Sequence, residues 1–581
     1  MAFQVSPGVQ VKEIDQTNTV PAVSASIGAY AGTFNWGPIE QTVLVSSEKE
    51  LVNSFGRPTT ASATAQKSFF TAASFLKYGN ALNVVRATSS GALNATTGTS
   101  GLLIKNRLSY DAGITATSGA SQEFAAKYAG ILGNSLKISI CASADAWTGW
   151  GSSYKDLFSG APGTSTTAAA VGASNDEMHI VVVDEDGLFS GTAGSVLETF
   201  AFVSQAKDAR KDDGTSNYYV NVLNETSNYV YWIAHPVILA DAGKTLVTSG
   251  AAVNFAADST GSSWDASFAY GVDTAPTSGN VITALGLFSD PENIDISLLF
   301  AQTDTGRSTD IASYAISLAE ARKDTVAFVS PPTDATVKPT NSALVDVTDW
   351  VNGLVNGAVG TGADTAIVSS SYAVIDSTAL KVYDKYNDVY LWISAAGHMA
   401  GLCAKTDDVA DAWFSPAGLS RGQLLGVTKL AFNPNQAQRD TLFKNRINPI
   451  VSFPGQGTLL FGDKTALSKA SAFDAIGVRR LFITLEKAIS RAAKAQLFEF
   501  NDDFTRAAFR NATEPFLRTV KGRRGITEFK VICDATNNTS DVIDRNEFVG
   551  DIYVKPSRSI RGITLNFIAT RTGVSFKELT S

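Results

Sequence analysis

At 581 residues the chain is long enough for about four domains of ordinary size, and its 44% apolar and 18% charged residues exclude both a disordered polyelectrolyte and a multispan membrane protein. With 47 Lys and Arg against 55 Asp and Glu, the net charge of -8 argues against a protein dedicated to coating nucleic acid. The charge is uneven: between Ser89 and Asp290, 9 basic residues stand against 19 acidic ones, a net of -10, so the remainder carries +2.

Residues 1–22 read as an extended arm. Val5, Val9 and Val11 alternate with polar neighbours, Pro7 and Gly8 interrupt, and there are too few apolar residues to fold alone. From Ser46 the pattern turns helical, with Ser46 or Ser47 as cap and Glu48 and Glu50 in the first turn. Phe69, Phe70, Ala73 and Leu76 then share a helical face closed by Gly79, and Leu82 to Ala87 reads as a strand. The texture changes at Thr88. As far as Asp290 the chain is rich in Gly, Ser, Thr and Ala, with short apolar bursts at Met178 to Val183, Tyr218 to Leu223 and Tyr229 to Ile233, which predicts one or two β-rich modules inserted into a parent domain.

The parent resumes with Ile294 to Phe300 as a strand, followed by a helix capped by Ser308 or Thr309 that carries Ile311, Tyr314, Ala315, Leu318 and Ala319 on one face. Thr325 to Ser330 is a buried-type strand, Val347 to Val355 has helical spacing, and Ala366 to Ser369 reads as a further strand. This alternation predicts a parallel α/β layer. After Trp413, Leu485, Ile489, Ala492, Gln496 and Phe500 trace one helical face. Asn501, Asp502 and Asp503 cap a helix from Phe504 towards Ala512, and the strand-like segments Phe529 to Cys533, Ile552 to Val554 and Ile563 to Ala569 close the chain. The expected domains are therefore an N-terminal arm, 1–22; a middle α/β domain, 23–88 with 291–412; an acidic β-rich insertion, 89–290; a C-terminal α+β domain, 413–559; and a C-terminal arm, 560–581.

Catalytic and metal-binding signatures are weak. Gly457 to Thr465 is one residue longer than a phosphate-binding GxxxxGK[ST] loop, and Asp463 would place an anion beside the phosphates, so a glycine turn is the expectation. His179, His235 and His398 share no metal-ligand spacing, and there is no GxSxG elbow. The Asp184-Glu185-Asp186-Gly187 cluster lacks the spacing of a calcium loop and reads as a solvated turn. Cys141, Cys403 and Cys533 form no CxxC pair, consistent with folding in a reducing compartment. The first ten residues lack the basic and apolar regions of a signal peptide, and no apolar run reaches membrane-spanning length. Cofactors, metals and catalytic residues are accordingly expected to be none. One segment departs from the acidic background: from Arg479 to Lys530, 12 Lys and Arg face 6 Asp and Glu. A solvated helix face, a nucleic-acid groove and a patch for an acidic protein partner all fit that composition. Its phenylalanines stand at core spacing, which disfavours base stacking.

Several motifs, taken in order, resemble the tail sheath proteins of contractile-tailed bacteriophages. They are Ser6-Pro-Gly-Val-Gln-Val-Lys-Glu13, Gly32-Thr-Phe-Asn-Trp-Gly-Pro38, Leu51-Val-Asn-Ser-Phe-Gly-Arg-Pro58 and Phe75 to Ala87 near the start. In the last third they are Trp413-Phe-Ser-Pro-Ala-Gly-Leu-Ser-Arg-Gly422, Phe453-Pro-Gly-Gln-Gly457, Gly477-Val-Arg-Arg480, Cys533-Asp-Ala-Thr-Asn-Asn-Thr539 and Ile552-Tyr-Val-Lys-Pro556. The resemblance covers roughly the first 88 and last 170 residues, more weakly Ile294 to Ala412, and the acidic insertion matches nothing in it.

The resemblance implies a structural protein of the virion's tail, not an enzyme, assembled in the host bacterial cytoplasm. It would stack as hexameric rings around a tail tube, contract to drive the tube through the host envelope, and meet tube, baseplate and tail-terminator proteins without binding nucleic acid or inserting into membrane. It implies strand exchange between subunits through Val5, Val9, Val11, Ile14, Ile563, Leu565, Phe567, Ala569 and Val574, completing the C-terminal domain. Within that reading Arg479, Arg480, Arg491, Lys494, Arg506, Arg510, Arg523 and Arg524 form a candidate tube-facing patch. The alternatives are the sheath of a related contractile injection particle, a P-loop-like nucleotide-binding enzyme, and a surface protein whose insertion binds glycans.

Overall fold

The computed structural model describes residues 26–113, 122–255, 263–302, 308–354 and 366–561. The described chain divides into two compact units, a larger one of residues 26–412 with 416–476 and a smaller one of residues 413–415 with 477–561.

The larger unit is organised by a seven-stranded sheet. Its strands are β1 (Gly28–Gly32), β2 (Thr42–Val45), β3 (Leu82–Arg86), β4 (Leu298–Ala301), β5 (Val326–Val329), β6 (Ala373–Asp376) and, after a three-stranded sheet introduced below, Ile447–Asn448. The order is Ile447–Asn448, β6, β5, β4, β1, β3, β2, and every pairing is parallel except β2 with β3. The central strands are apolar on both faces because both are covered. Ala29, Ala31, Leu299, Ala327, Val329 and Ile375 pack with residues of the helices Ser278–Gly286, Asp310–Arg322 and Ala343–Asn352. On the opposite face Phe300 lies 5.0 Å from Tyr30 and stacks at 5.6 Å on Phe75.

Phe75 ends helix α1 (Ala63–Phe75), whose Ser62 cap accepts a hydrogen bond from Ala65 N, and α1 packs along helix α2 (Ala396–Val409). Glycine permits that approach. A Cβ on Gly397 would fall inside the 3.0 Å that real Cβ atoms keep, against the carbonyl oxygen of Thr71 and the hydroxyl of Ser74. His398, fully buried, lies 2.9 Å through Nδ1 from Tyr78 Oη. That hydroxyl also accepts Leu425 N, and the buried imidazole is held neutral. Burial first, and then the nearby Lys77 charge, push His398 down to about 3. The unfolded histidine binds its proton below about 6.5 while the folded one refuses it down to about 3, so the stability that His398 contributes falls as pH falls through that window, whereas buried Asp376 in the same unit, pushed up to about 7 by burial, contributes in the opposite direction. In urea titrations at several pH values the wild type should lose stability relative to H398N by up to about 1.4 kcal/mol per pH unit there, the Asp376 contribution being common to both.

Between β3 and β4 the chain builds a four-stranded antiparallel sheet in the order Trp264–Ser267, Leu136–Cys141, Glu177–Asp184, Ser195–Ser204, with Phe124–Ala126 paired separately to Val230–Trp232. Ile138, Ile140, Ile180, Val182 and Phe200 share its core with Tyr219 and Leu223. Tyr218 to Leu223, expected among the strand bursts, instead opens the helix Tyr219–Thr226. Tyr219, Val220, Val222 and Leu223 bury one helical stripe, which a short apolar run does not distinguish from a strand. Arg86, at the end of β3 where the chain leaves the parent sheet, is fully buried, donates to Gly37 O at 3.0 Å and faces Asp273, on the returning segment, at 3.8 Å.

Three further expectations are corrected. Ala366 to Ser369 is not a strand: Ile367 N bonds to Val351 O beside a helix end, and the strand starts at Ala373. Asp184 is not solvated, for it is fully buried and accepts from Ser135 Oγ at 2.6 Å, Phe189 N at 3.0 Å and Ser190 N at 2.7 Å, tying down its own turn. Residues 416–476, assigned from sequence to the C-terminal domain, belong to the larger unit because Ile447–Asn448 adds to β6 as the sheet's outermost strand.

The three-stranded sheet consists of β7 (Leu380–Asp384), β8 (Val389–Ile393) and β9 (Val427–Leu430), antiparallel with β7 central. Leu380, Val382, Leu391, Ile393 and Leu430 bury one face.

Candidate assembly surfaces

The smaller unit is two helices and a ribbon. Helix α3 (Ile476–Ala493) buries Leu481, Leu485 and Ile489, and helix α4 (Asp503–Gly522) buries Phe509, Leu517 and Val520 against them. Asp502 caps α4 by accepting Thr505 N at 2.8 Å, within the predicted cap, and the helix runs ten residues beyond Ala512. Phe500 does not extend the face of α3 as expected. The helix ends at Ala493, one 3-10 turn follows, and Phe498 adopts φ 71, which turns the chain towards the next cap and leaves Phe500 84% exposed.

The ribbon pairs β10 (Ile526–Ile532) with β11 (Asp551–Pro556), antiparallel, from Ile532 opposite Asp551 to Ile526 opposite Pro556. The segment joining the strands is pinned by the Cys533–Thr539 motif. Asn538 donates to Val549 O at 2.8 Å and accepts Val549 N at 2.9 Å, and Asn537 donates to Ile532 O at 2.8 Å. Among the described residues no third strand joins the ribbon, so each of its strands presents an open row of backbone donors and acceptors. Two strands packed on one side are marginal in isolation. In the same unit Arg506 Nε and Nη1, Asn501 Oδ1 and Thr513 Oγ1 are buried with no hydrogen-bond partner, at a cost of roughly 1–3 kcal/mol each.

All nine residues expected to exchange strands, Val5, Val9, Val11, Ile14, Ile563, Leu565, Phe567, Ala569 and Val574, lie outside the described residues. The eight-residue basic patch does not survive as a single surface. Arg479 and Arg480 are buried, 7% and 3% exposed, on the first turns of α3. Arg506 is buried with Asp503 on Nη2 at 3.0 Å, and half-buried Arg510 donates to Cys533 O. Arg491, Lys494, Arg523 and Arg524 are exposed, and Arg523 lies over the Trp413 ring at 5.9 Å. A run of charges in sequence does not by itself say which of its members are turned inward, because that depends on the segments packed against the helices.

The phosphate-loop lookalike is a hairpin. Gly457–Leu460 is a strand paired antiparallel with Ile450–Phe453, Lys464 Nζ donates to Phe443 O at 3.1 Å while sitting 4.0 Å over that residue's ring, and Thr465 Oγ1 donates to Phe473 O. The lysine and hydroxyl that would hold phosphate and metal are committed to main-chain carbonyls. His179 and His235 are likewise placed by hydrogen bonds, to Gly160 O at 2.9 Å and Tyr219 Oη at 2.5 Å. Among the described residues no group of three His, Cys, Asp or Glu side chains is arranged to hold a metal ion, and no helix is long and apolar enough to cross a membrane. A cavity of about 900 Å³ is lined by Trp36, Tyr128, Tyr231, Arg57, Arg107 and Lys127 among others, but its cations are bonded within the chain: Arg57 to Tyr386 O, Arg107 to Asp111 and Lys127 to Ser227 O.

Comparison with known proteins gives a consistent picture. Residues 26–87 match the family model of the tail sheath protein Gp18 domain III N-terminal region, residues 284–466 that of the phage tail sheath protein central domain, and residues 468–570 that of the phage tail sheath C-terminal domain. The tail sheath protein of Enterobacteria phage T4 is 33% identical, over 99% of each chain. Among solved structures, a sheath tail protein of Listeria innocua is 11% identical with a TM-score of 0.52 over 93% of this chain and 97% of that one. The helical sheath of the anti-feeding prophage in its contracted state is 12% identical with a TM-score of 0.50 over 98% and 100%. At these identities the two structures speak for the fold alone.

Proposed function

This chain belongs to the phage tail sheath family, and from that premise we propose that it polymerises as hexameric rings stacked helically around a tail tube and contracts to drive the tube through the host envelope. The observation that carries the proposal is identity of 33% maintained over 99% of both chains to a tail sheath protein, because similarity end to end includes the terminal arms as well as the core. The ribbon of β10 and β11 supports the same reading. Its open edges and the unpartnered buried donors beside it are what a module finished by another chain's strand would look like. Strands carrying Val5, Val9, Val11 and Ile14, and Ile563, Leu565, Phe567, Ala569 and Val574, would add to such edges in neighbouring copies and give each ring its continuity.

In this reading residues 89–290 form an outer module, 23–88 with 291–412 and the segment 416–476 form the middle layer, and the smaller unit faces the tube. Arg491, Lys494, Arg523 and Arg524, the exposed members of the eight-residue patch, are its contact with an acidic tube surface. Each exposed pair is worth about 1 kcal/mol or less, so the set can be surrendered together when the sheath fires. Baseplate and terminator proteins would meet the two ends of the polymer.

Electron microscopy of the purified chain tests the proposal: hollow tubes are expected, and a monomer at every concentration and salt refutes it. Reversing Arg491, Lys494, Arg523 and Arg524 to glutamate should weaken co-assembly with the tube while sparing sheath self-association. An unchanged tube interaction would place the contact elsewhere.

A further inference from the structure

The outer face of the β7–β8–β9 sheet is an exposed ladder of aromatic and cationic side chains that the proposed arms and tube contact leave unused. Register places Tyr383 opposite Tyr390, Lys381 opposite Trp392, and Lys381 opposite Lys429. Tyr383 and Tyr390 are 45% and 58% exposed with ring centroids 5.3 Å apart, and Lys381 Nζ lies 5.5 Å over Tyr390 and 5.7 Å over Trp392. Tyr and Trp are enriched at interface centres, and here two tyrosines and a tryptophan share one sheet face with Lys381 and Lys429.

Two details say what kind of partner fits. Lys381 and Lys429 stand directly across from each other, a like-charge pair that costs the isolated sheet stability. Among the described residues neither makes an ion pair, whereas the neighbouring Lys385 is answered by Glu48 at 3.3 Å. Tyr390 Oη and Trp392 Nε1 likewise make no hydrogen bond among the described residues. An anionic surface with hydrogen-bond acceptors would relieve all four groups. The chain itself carries the complementary charge: its inserted module, residues 89–290, has a net charge of -10.

We propose that the face formed by Lys381, Tyr383, Tyr390, Trp392 and Lys429 docks on the acidic inserted module of a second copy of this chain. The contact joins two different patches, so it is heterologous. Repeated from copy to copy it closes into rings or runs on as a helix, and it does not stop at a dimer. It rests on the sheath reading and goes beyond it by adding a lateral, salt-sensitive contact to the strand-mediated one.

The test uses polymers of the full chain treated with a zero-length carbodiimide cross-linker and mapped by mass spectrometry. Bonds from Lys381 or Lys429 to carboxylates within 89–290 of another copy are expected, the copies being told apart by mixing heavy- and light-isotope protein. Reversal in K381E/K429E should remove those bonds and raise the concentration needed to polymerise about tenfold, and Y390A should raise it in the same direction without changing charge. The effect of the reversal should shrink as salt rises and the Debye length falls to about 3 Å at 1 M. Cross-links from these lysines only to other regions, or a polymerisation threshold unchanged in both variants, overturn the proposal and leave the sheath reading standing. Capture of single-stranded DNA by the wild-type face, lost in K381E/K429E while the threshold stays unchanged, also overturns it, in favour of a nucleic-acid platform. A wild-type chain that never polymerises overturns the sheath reading and this contact together.

Discussion

Removing residues 1–15 together with residues 560–581 is expected to leave a folded monomer that no longer forms tubes. The cores of both units, from the seven-stranded sheet to the α3–α4 pair and its ribbon, are built from residues 26–561, so the truncated chain keeps the apolar burial that folds it. What it loses is association. If two donated strands bury ~600 Å² of apolar surface, at ~25 cal/mol per Å² they supply about 15 kcal/mol as an upper bound, more than any set of exposed charge pairs could replace. Sedimentation should find a monomer with native circular dichroism at concentrations where the full chain is entirely polymeric. Deleting one arm should give short or unstable polymers, since the other still joins neighbours. Tubes formed by the doubly truncated chain as readily as by the full one would remove the strand-exchange mechanism.

The second large effect is expected at Gly397. Replacing it by valine puts a branched side chain where α1 already occupies the space, against Thr71 O and Ser74 Oγ, and a main-chain carbonyl cannot swing aside as a long side chain can. The helices must separate, taking with them the Tyr78–His398 hydrogen bond and the packing of Phe75 on Phe300. Overpacking of this kind costs typically 1–3 kcal/mol and occasionally more, so G397V should lower the larger unit's midpoint in urea by an amount in the upper part of that range or beyond it. G397A, with one carbon added, falls lower in the range. Gly522 supplies the control. No atom lies within 4 Å of a Cβ built there, at the last residue of α4, and G522A should leave stability unchanged or slightly raised. The two units contain separate cores, so each variant is read on the transition of its own unit. Equal midpoints for G397V and wild type would mean that α1 and α2 are not held at this distance.

The expected pH dependence and the docking face turn on groups that carry no signature in the sequence. From sequence His398 reads as a core or surface histidine without metal-ligand spacing; its consequence comes from full burial beside the Tyr78 phenol. Lys381 and Lys429 are 48 positions apart and mean nothing together until the register of β7 with β9 sets them face to face. No periodicity within either segment holds that information, because strand pairing is a relation between segments.

What the sequence determined by itself was local and compositional. The helix over Glu48–Phe55 with its serine cap, the strand at Leu82–Arg86, the cap at Asp502, the acidic stretch between two α/β segments and the ordered motifs of the sheath family were all legible, since caps, apolar periodicity and motif order are written in neighbouring residues. The tertiary structure alone decided which charges are surface and which are core. It turned Arg479, Arg480 and Arg506 inward and left Arg491 and Lys494 in water. It moved residues 416–476 into the larger unit by a two-residue strand too short to signal itself, and it drew Asp184 under its own turn. The physical reason is the same each time: burial of a polar group depends on whether distant segments bring it hydrogen-bond partners and exclude water, and that is settled only when the segments pack.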